Sequence, residues 1–218
     1  MIKNVFFDFN GTLLDDVDLC LKIEQNLMVK EGLRPYSKRE YLDHFKFPVS
    51  EYYKSVGFET NKYKDLAYYF NNEYNTRWES ETKLFPEVKE SLGKLKSKGY
   101  KLYCLSASPY DFLVFQLKTL GILDYFDDVC GAQNSLAYGK IEYGKEFIKS
   151  HNINSSDTIM IGDTVHDYEV SKAFLFKCIL FSQGHNSRFR LEELNANIAD
   201  NYLELIKEIC DFNETKQS

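Results

Sequence analysis

Four short polar stretches of the sequence carry side chains that could bind a metal ion and a phosphoryl group together. The stretches are residues 8–12, 106–108, 139–140 and 162–167. They contribute three carboxylates, hydroxyl groups and an ammonium group. Carboxylate and carbonyl oxygens are the ligands that Mg²⁺ prefers, while ammonium and hydroxyl groups donate hydrogen bonds to phosphate oxygens. Lys140 and Ser106 are therefore the expected phosphate contacts.

Apolar runs before these stretches predict the elements that position them. Buried strands are predicted at residues 2–7, 102–105, 129–130, 159–161 and 178–181. Helices are predicted at residues 87–98, 109–120, 144–150 and 168–174. This alternation predicts an α/β protein with a Rossmann-like parallel sheet and helices on both faces. Ligands of such sheets bind at the carboxyl ends of the strands, so we expect the polar stretches to meet at one edge.

One long interval breaks the alternation of strands and helices. Residues 16–83 contain no convincing strand, and apolar residues such as Cys20, Ile23 and Leu27 recur at helical spacing. The sequence predicts an inserted all-helical domain at residues 16–83. Residues 1–15 and 84–218 are then predicted to form the Rossmann-like core.

The composition bounds the class of protein. Its 218 residues suffice for one core plus a smaller appendage. The net charge of -6 argues against nucleic acid as a main partner, since proteins that bind it usually present a basic face. No apolar run approaches the roughly 18 residues of a membrane span, and the N-terminus lacks a signal-peptide pattern. Five scattered cysteines without a C-x-x-C motif fit reduced thiols, which predicts a cytoplasmic protein. The sequence does not indicate the oligomeric state.

The order of the motifs resembles the haloacid dehalogenase-like superfamily of hydrolases, in its phosphoglycolate-phosphatase-like branch. The resemblance rests on D-x-x-G-T at residues 8–12, Ser106, Lys140 and G-D-x-x-x-D at residues 162–167, and it covers nearly the whole chain. The helical insertion after the first motif is similar to the cap domain of that branch. The resemblance implies Mg²⁺-dependent hydrolysis of a small organic phosphate monoester through an aspartyl-phosphate.

The resemblance also implies a catalytic carboxylate and a metal site. Asp8 would be the nucleophile that attacks phosphorus. Asp8, Asp163 and the backbone carbonyl of Asn10 would hold Mg²⁺, and Asp167 would ligate it directly or through water.

Three further residues would contact the phosphate. Thr12 and Ser106 are expected to donate hydrogen bonds to phosphate oxygens. Lys140 is expected to act as a point charge and to pair with Asp8 or Asp163.

Asn10 departs from the pattern of the family. Phosphatases of this family usually carry a second Asp two residues after the nucleophile, where it protonates the leaving alcohol and then activates water. A neutral amide cannot exchange a proton at neutral pH, so help worth ~10²–10⁴-fold should be missing. Asp15 and His44 are weaker candidates for a substitute acid, and Asp15 fits better as the cap of a helix that begins at Val17.

Several alternatives remain open from the sequence. The chain could be a slow or specialised phosphatase, an engineered variant, a phosphotransferase with a lasting intermediate, or a catalytically impaired phosphate-binding or regulatory protein. Slow deamidation of the Asn10-Gly11 pair to Asp is a further hypothesis. Dehalogenation of a haloacid is less favoured, because displacing halide from carbon does not require the metal that the carboxylates suggest.

Other polar and aromatic residues have simpler interpretations. The tyrosines of the helical insertion are expected to be packing residues, and His185 is expected to lie in a solvated loop after the last predicted strand. Residues 45–48 are a candidate substrate loop in which Lys46 could meet an anionic substrate.

Overall fold

A parallel sheet of six strands forms the centre of the computed structural model, which describes residues 1–132 and 139–214. In chain order, the strands are β1 (Asn4–Phe7), β2 (Leu14–Asp15), β3 (Lys83–Leu84), β4 (Lys101–Pro109), β5 (Asp128–Ala132), β6 (Thr158–Gly162), β7 (Lys177–Phe181) and β8 (Asn197–Ala199). The order in the large sheet is β5-β4-β1-β6-β7-β8, and neighbouring strands are all parallel. This arrangement confirms the predicted α/β fold with a Rossmann-like sheet.

Helices connect the strands and cover the sheet. They are α1 (Val17–Lys30), α2 (Lys38–His44), α3 (Val49–Val56), α4 (Tyr63–Glu81), α5 (Val88–Ser97), α6 (Tyr110–Thr119), α7 (Ile141–Ser150), α8 (Val165–Ala173), α9 (Arg188–Glu192) and α10 (Tyr202–Glu214). Residues of α5, α6 and α10 share one hydrophobic cluster with the sheet, and residues of α7 and α8 share another. Parallel sheets require such cover because both of their faces are apolar.

The central strand shows why the sheet is covered on both faces. Val5 and Phe7 of β1 point into one cluster, and Phe6 points into the other. All three are at most 1% exposed. Successive side chains of a strand face opposite sides, so a short continuous apolar run is what a strand buried on both faces requires.

Two helix starts differ from the prediction. Helix α8 begins at Val165 rather than at residue 168, because Thr164 caps it and Asp167 completes a capping box. Helix α7 begins at Ile141 rather than at residue 144. The edge strand β8 was not predicted, because its three residues are too few for an apolar pattern to be recognised.

The helical segment between β2 and β3 has its own hydrophobic cluster. Residues of α1, α2, α3 and α4 form it, with Ile23, Tyr52 and Trp78 among its buried members. The expectation of no strand here is wrong at one end, since β2 and β3 pair antiparallel where the chain leaves and rejoins the core. These strands of two residues are too short to show an alternating pattern.

Three further sequence predictions concern a helix cap, the cysteines and membrane-spanning segments. The residue that precedes α1 is Asp16, not Asp15, and its side chain does not cap the helix. All five cysteines are free thiols. None of the described helices is both long enough and apolar enough to span a membrane.

Candidate active site

The four polar stretches meet at the carboxyl edge of the sheet. Asp8 directly follows β1, which lies between β4 and β6. Ser106 belongs to the last part of β4, and Asp163 directly follows β6. One oxygen each of Asp8, Asp163 and Asp167 lies within 4.8 Å of the others, and all three residues are buried. The structure therefore brings the predicted carboxylates together.

Lys140 is the cation at the centre of this cluster. Its Nζ lies 2.8 Å from Asp8 Oδ1 and 2.6 Å from Asp167 Oδ1, and it donates to the carbonyl oxygen of Leu105 at 3.3 Å. The predicted pair with Asp8 is present, and the second partner is Asp167 rather than Asp163. Burial opposes the charge of Lys140, but the two carboxylates outweigh it and raise the pKa of the ammonium group. The side chain is therefore a cation at neutral pH.

One lysine does not compensate three buried carboxylates. Burial raises the pKa of Asp8 to about 8, and the nearby charges of Asp167 and Asp163 add to the effect, while Lys140 opposes it. Burial, followed by the charge of Asp167, also raises the pKa of Asp163 to about 6. A divalent cation would relieve this repulsion, and carboxylate oxygens are the donors that a hard cation prefers. The residues present therefore fit Mg²⁺.

Thr12 contacts one of the predicted metal-binding carboxylates. Its hydroxyl donates to Asp163 Oδ1 at 2.8 Å, and the residue is fully buried. The backbone N–H of His185 donates to the other oxygen, Asp163 Oδ2, at 2.6 Å. Thr12 thus positions Asp163, and its hydroxyl hydrogen is used in that contact.

Gly11 allows this close packing around Asp163. Its φ of +71° lies in the left-handed region, where a side chain costs energy. A Cβ atom at this position would lie 2.4 Å from Asp163 Oδ2 and 2.4 Å from His185 Cδ2. The D-x-x-G-T motif therefore needs glycine for backbone shape and for space.

Asp167 links the metal cluster to the start of α8. Its Oδ2 accepts from Thr164 N at 3.0 Å, from Thr164 Oγ1 at 2.7 Å and from Asp163 N at 3.2 Å. Burial opposes ionisation, but Lys140 and the hydrogen bonds outweigh it and lower the pKa of Asp167. The carboxylate is therefore ionised, and protein donors contact both of its oxygens.

Asn10 uses its side chain to connect the sheet edge with the helical segment. Its Nδ2 donates to Asp16 Oδ2 at 2.7 Å and to Tyr74 Oη at 2.7 Å. Its Oδ1 accepts from Ser108 Oγ at 3.0 Å. An amide meets all three partners without a change of protonation, whereas a carboxylate here would face Asp16.

A buried pair formed by Asp16 and His185 lies next to Asn10. His185 Nε2 is 3.1 Å from Asp16 Oδ1, and Tyr41 Oη is 2.8 Å from His185 Nδ1. Burial opposes the charge on both groups. The pair outweighs it, so Asp16 raises the pKa of His185 to about 9 and His185 lowers the pKa of Asp16. The expectation of a solvated loop at His185 is wrong, since the residue is 5% exposed.

Sequence reasoning also missed Tyr74, whose hydroxyl donates to Asp16 Oδ2 at 2.8 Å. Its helical spacing predicted only packing, because spacing does not reveal a partner 58 residues away. For His185, one signal was available: the residue follows a predicted strand, at the edge where the other polar stretches lie.

A cavity of about 400 Å³ extends from this cluster into the helical segment. Asp8, Asn10, Ser106 and Lys140 border it at the sheet edge, and half of the residues that line it from the helical segment are aromatic. Ser106 Oγ accepts from Ser108 N at 3.1 Å, which leaves the hydroxyl hydrogen for another acceptor.

The weaker candidates lie away from the cavity or only partly border it. Asp15 and His44 are not among the described residues that line it. In the candidate substrate loop, Phe45 and Phe47 line the cavity, but Lys46 is exposed and does not.

The site and the fold define a class of enzyme, and comparison with known proteins agrees. The chain matches the haloacid dehalogenase-like hydrolase family over residues 5–181 and belongs to that family. The resemblance and the predicted hydrolase class are thereby confirmed.

Individual relatives are more distant. The chain is 28% identical over 213 residues to a phosphoglycolate phosphatase from Pseudomonas fluorescens. The aligned region covers 93% of this chain and 78% of the relative. The chain is also 28% identical over 175 residues to the pyrophosphatase PpaX of Listeria monocytogenes. That aligned region covers 78% of this chain and 79% of the relative. A solved structure described as a predicted phosphatase from Clostridium acetobutylicum has a TM-score of 0.84 at 23% identity and covers 97% of this chain and 99% of that chain. This last likeness establishes the fold.

Proposed function

We propose that this chain hydrolyses phosphate monoesters of small molecules in an Mg²⁺-dependent reaction that passes through an aspartyl-phosphate on Asp8. The position of Asp8 carries the proposal: its carboxylate borders the cavity at the end of β1 and lies 2.8 Å from Lys140 Nζ. Family membership and the phosphatase and pyrophosphatase relatives support the reaction class.

Two displacements at phosphorus make up the proposed reaction. In the first, a carboxylate oxygen of Asp8 attacks phosphorus, and the bond to the ester oxygen breaks with its electron pair going to the leaving alcohol. In the second, water attacks the phosphorus of the aspartyl-phosphate, which releases inorganic phosphate and restores the carboxylate. Lys140 and Ser106 would donate to the phosphate oxygens, and Lys140 also holds Asp8 in place.

The buried carboxylates would hold the metal ion. Asp8, Asp163 and the carbonyl oxygen of Asn10 are the proposed ligands, and Asp167 would act through water because protein donors contact both of its oxygens. When bound, Mg²⁺ supplies positive charge that neutralises the phosphate oxygens and favours the ionised carboxylates.

The amide of Asn10 makes the proposed reaction slow for ordinary alcohols. No proton can pass from Asn10 to the leaving oxygen, and help worth ~10²–10⁴-fold is absent. A phenol with an electron-withdrawing group leaves readily as the anion and needs this proton least. Aryl phosphates should therefore be hydrolysed faster than alkyl phosphates.

The helical segment, residues 16–83, is proposed to act as a cap domain on a core of residues 1–15 and 84–218. Its contacts with the core lie beside the site: Asn186 Nδ2 donates to the carbonyl oxygen of Phe45 at 2.9 Å, and Ser187 N donates to that of Leu42 at 3.1 Å. The cap would cover the phosphate and select the alcohol.

Phosphate release from p-nitrophenyl phosphate and from phosphoglycolate tests the proposal, with Mg²⁺ and with EDTA. We expect slow release with Mg²⁺, more from the aryl ester, and none with EDTA or from Asp8→Asn. Equal release with and without the metal would contradict the metal requirement.

Asn10 also supports a second candidate function, a phosphate-binding protein without turnover. Its amide is held by Asp16 and Tyr74, so the network of hydrogen bonds is complete without a catalytic proton. In that case, isothermal titration calorimetry should detect binding of the phosphate esters while no phosphate is released.

A further inference from the structure

Glu24 is a buried carboxyl group that the proposed mechanism does not use. It is 3% exposed and lines the cavity from α1. Within the described part of the chain, its one hydrogen-bond donor is Tyr52, whose Oη lies 2.6 Å from Glu24 Oε2. A buried polar group usually has partners for all of its atoms, so a glutamate that borders a cavity with one oxygen unpaired points to a ligand.

The spacing of residues on α1 places Glu24 far from the phosphate end. Asp16, Cys20 and Glu24 follow one another at intervals of four residues, and all three line the cavity. Asp16 belongs to the network around Asn10 at the sheet edge. Eight residues of helix rise by about 12 Å, so Glu24 lies about that far from Asp16 along the helix axis.

The charges around the cavity restrict what can lie between these ends. Its described cationic residues are Lys140 and His185, and both are paired with carboxylates. Residues 133–138, outside the described ranges, contain no Lys, Arg or His in the sequence. A substrate with a carboxylate in addition to its phosphate would therefore find no free cation and would face Glu24.

Aromatic rings form a large part of the cavity wall, together with amide side chains such as Asn72 and Asn75. Tyr53, Phe70 and Phe112 are among the aromatic lining residues. Such walls bury the flat apolar body of a ligand, and a few polar groups then fix its orientation.

We propose, resting on the proposed function, that the substrate is a phosphate monoester with a flat apolar body and a hydroxyl or ammonium group at the end remote from the phosphate, which donates a hydrogen bond to Glu24. A second carboxylate, as in phosphoglycolate, is selected against. Burial supports this role, because it raises the pKa of Glu24 to about 8 despite the hydrogen bond from Tyr52. A partly neutral carboxyl group accepts a hydroxyl hydrogen bond, and an ammonium group would favour its ionised form.

A matched series of benzylphosphonates tests the proposal without requiring turnover. The para substituent is ethyl, 2-hydroxyethyl, 2-aminoethyl or carboxymethyl, and the Kd of each is measured by isothermal titration calorimetry with Mg²⁺. The variants are Glu24→Leu and Glu24→Gln, with Glu51→Gln as an exposed control on α3. Phosphate release from the corresponding phenyl phosphates is measured separately.

We expect at least one of the two donor-bearing ligands to bind about tenfold more tightly than the ethyl ligand, and the carboxymethyl ligand to bind about tenfold more weakly. Glu24→Leu should remove the preference for a donor, Glu24→Gln should keep it for the hydroxyl but not for the ammonium group, and Glu51→Gln should change nothing. Equal Kd values across the series, or a preference that survives Glu24→Leu, would overturn the proposal. Selective binding without release of phosphate would instead refute the proposed hydrolysis and leave the role of Glu24 intact.

Discussion

At the sheet edge, Asp8 and Asp167 share the ammonium group of Lys140, whereas at the other end of the cavity Glu24 has a single tyrosine hydroxyl as its described partner. The first region is dense in charge and suited to a cation and a phosphoryl group. The second is aromatic and holds one acid. Under the proposed function, the core supplies the reaction and the helical segment supplies recognition of the alcohol.

Restoring an acid at residue 10 should produce the largest effect at the charged end. Asn10 Nδ2 lies 2.7 Å from Asp16 Oδ2, so in Asn10→Asp the new carboxyl group must hold a proton to keep this contact. That proton is available to the leaving alcohol, and we expect kcat for alkyl phosphates to rise by ~10²–10⁴-fold. For p-nitrophenyl phosphate, the increase should be smaller.

Two further variants control this measurement. Asn75→Asp makes the same change from amide to acid at an exposed residue of the cavity wall and should have no effect on kcat. Asn10→Asp combined with Asp16→Asn removes the carboxylate that keeps the proton on residue 10 and should reduce the increase. Equal kcat for the unchanged chain and Asn10→Asp would refute the role assigned to the missing proton.

Removing the ammonium group of Lys140 should produce the second-largest effect. Lys140→Met leaves Asp8 and Asp167 without their shared partner, and breaking a buried ion pair costs about 3–5 kcal/mol of unfolding free energy. We expect phosphate release to fall by roughly 10²–10³-fold, as for the loss of one donor to the reacting group. Urea unfolding and phosphate release measure the two effects. Lys145→Met, on the exposed side of α7, should change neither the free energy of unfolding nor phosphate release. A small effect of Lys140→Met on both measurements would contradict the role assigned to its ammonium group.

Glu24 should make the free energy of unfolding depend on pH. The folded protein keeps the proton of Glu24 up to about pH 8, whereas the unfolded chain releases it near the ordinary pKa of 4.5. The free energy of unfolding should therefore fall between about pH 5 and 8, by at most about 1.4 kcal/mol per pH unit from this group. Glu24→Gln should flatten that slope when urea unfolding is measured across this range. If the variant and an exposed control, Glu51→Gln, give the same slope as the unchanged chain, the raised pKa of Glu24 is refuted.

Loss of the Tyr74 hydroxyl, which contacts both Asp16 and Asn10, should give the smallest effect. Tyr74→Phe removes a donor to Asp16 and an acceptor for Asn10, which costs about 1–2 kcal/mol of unfolding free energy. Thermal unfolding should detect the loss, and KM should change more than kcat, because Tyr74 contacts no reacting atom. Tyr68→Phe, at an exposed tyrosine that also lines the cavity, is the matched control and should leave the Tm unchanged.

The sequence predicts the charged end of the cavity better than the end that holds Glu24. Asp8 and Asp163 could be predicted, because each directly follows an apolar run and strand ends of a parallel sheet converge. Asp16 and His185 are 169 residues apart, and their contact depends on how the helical segment packs on the core. Glu24 lies on the helix face that the spacing predicts to be buried, but spacing reveals neither its contact with Tyr52 nor the cavity that it borders.

Covalent capture at Asp8 tests the central claim most directly. The chain is mixed with p-nitrophenyl phosphate and Mg²⁺, quenched in acid within one turnover, and analysed by intact-mass and peptide-mass spectrometry. We predict an increase of about eighty daltons located on Asp8 and absent from Asp8→Asn, because the carboxylate becomes an aspartyl-phosphate. Release of phosphate without this adduct, or an adduct on another residue, would contradict the account.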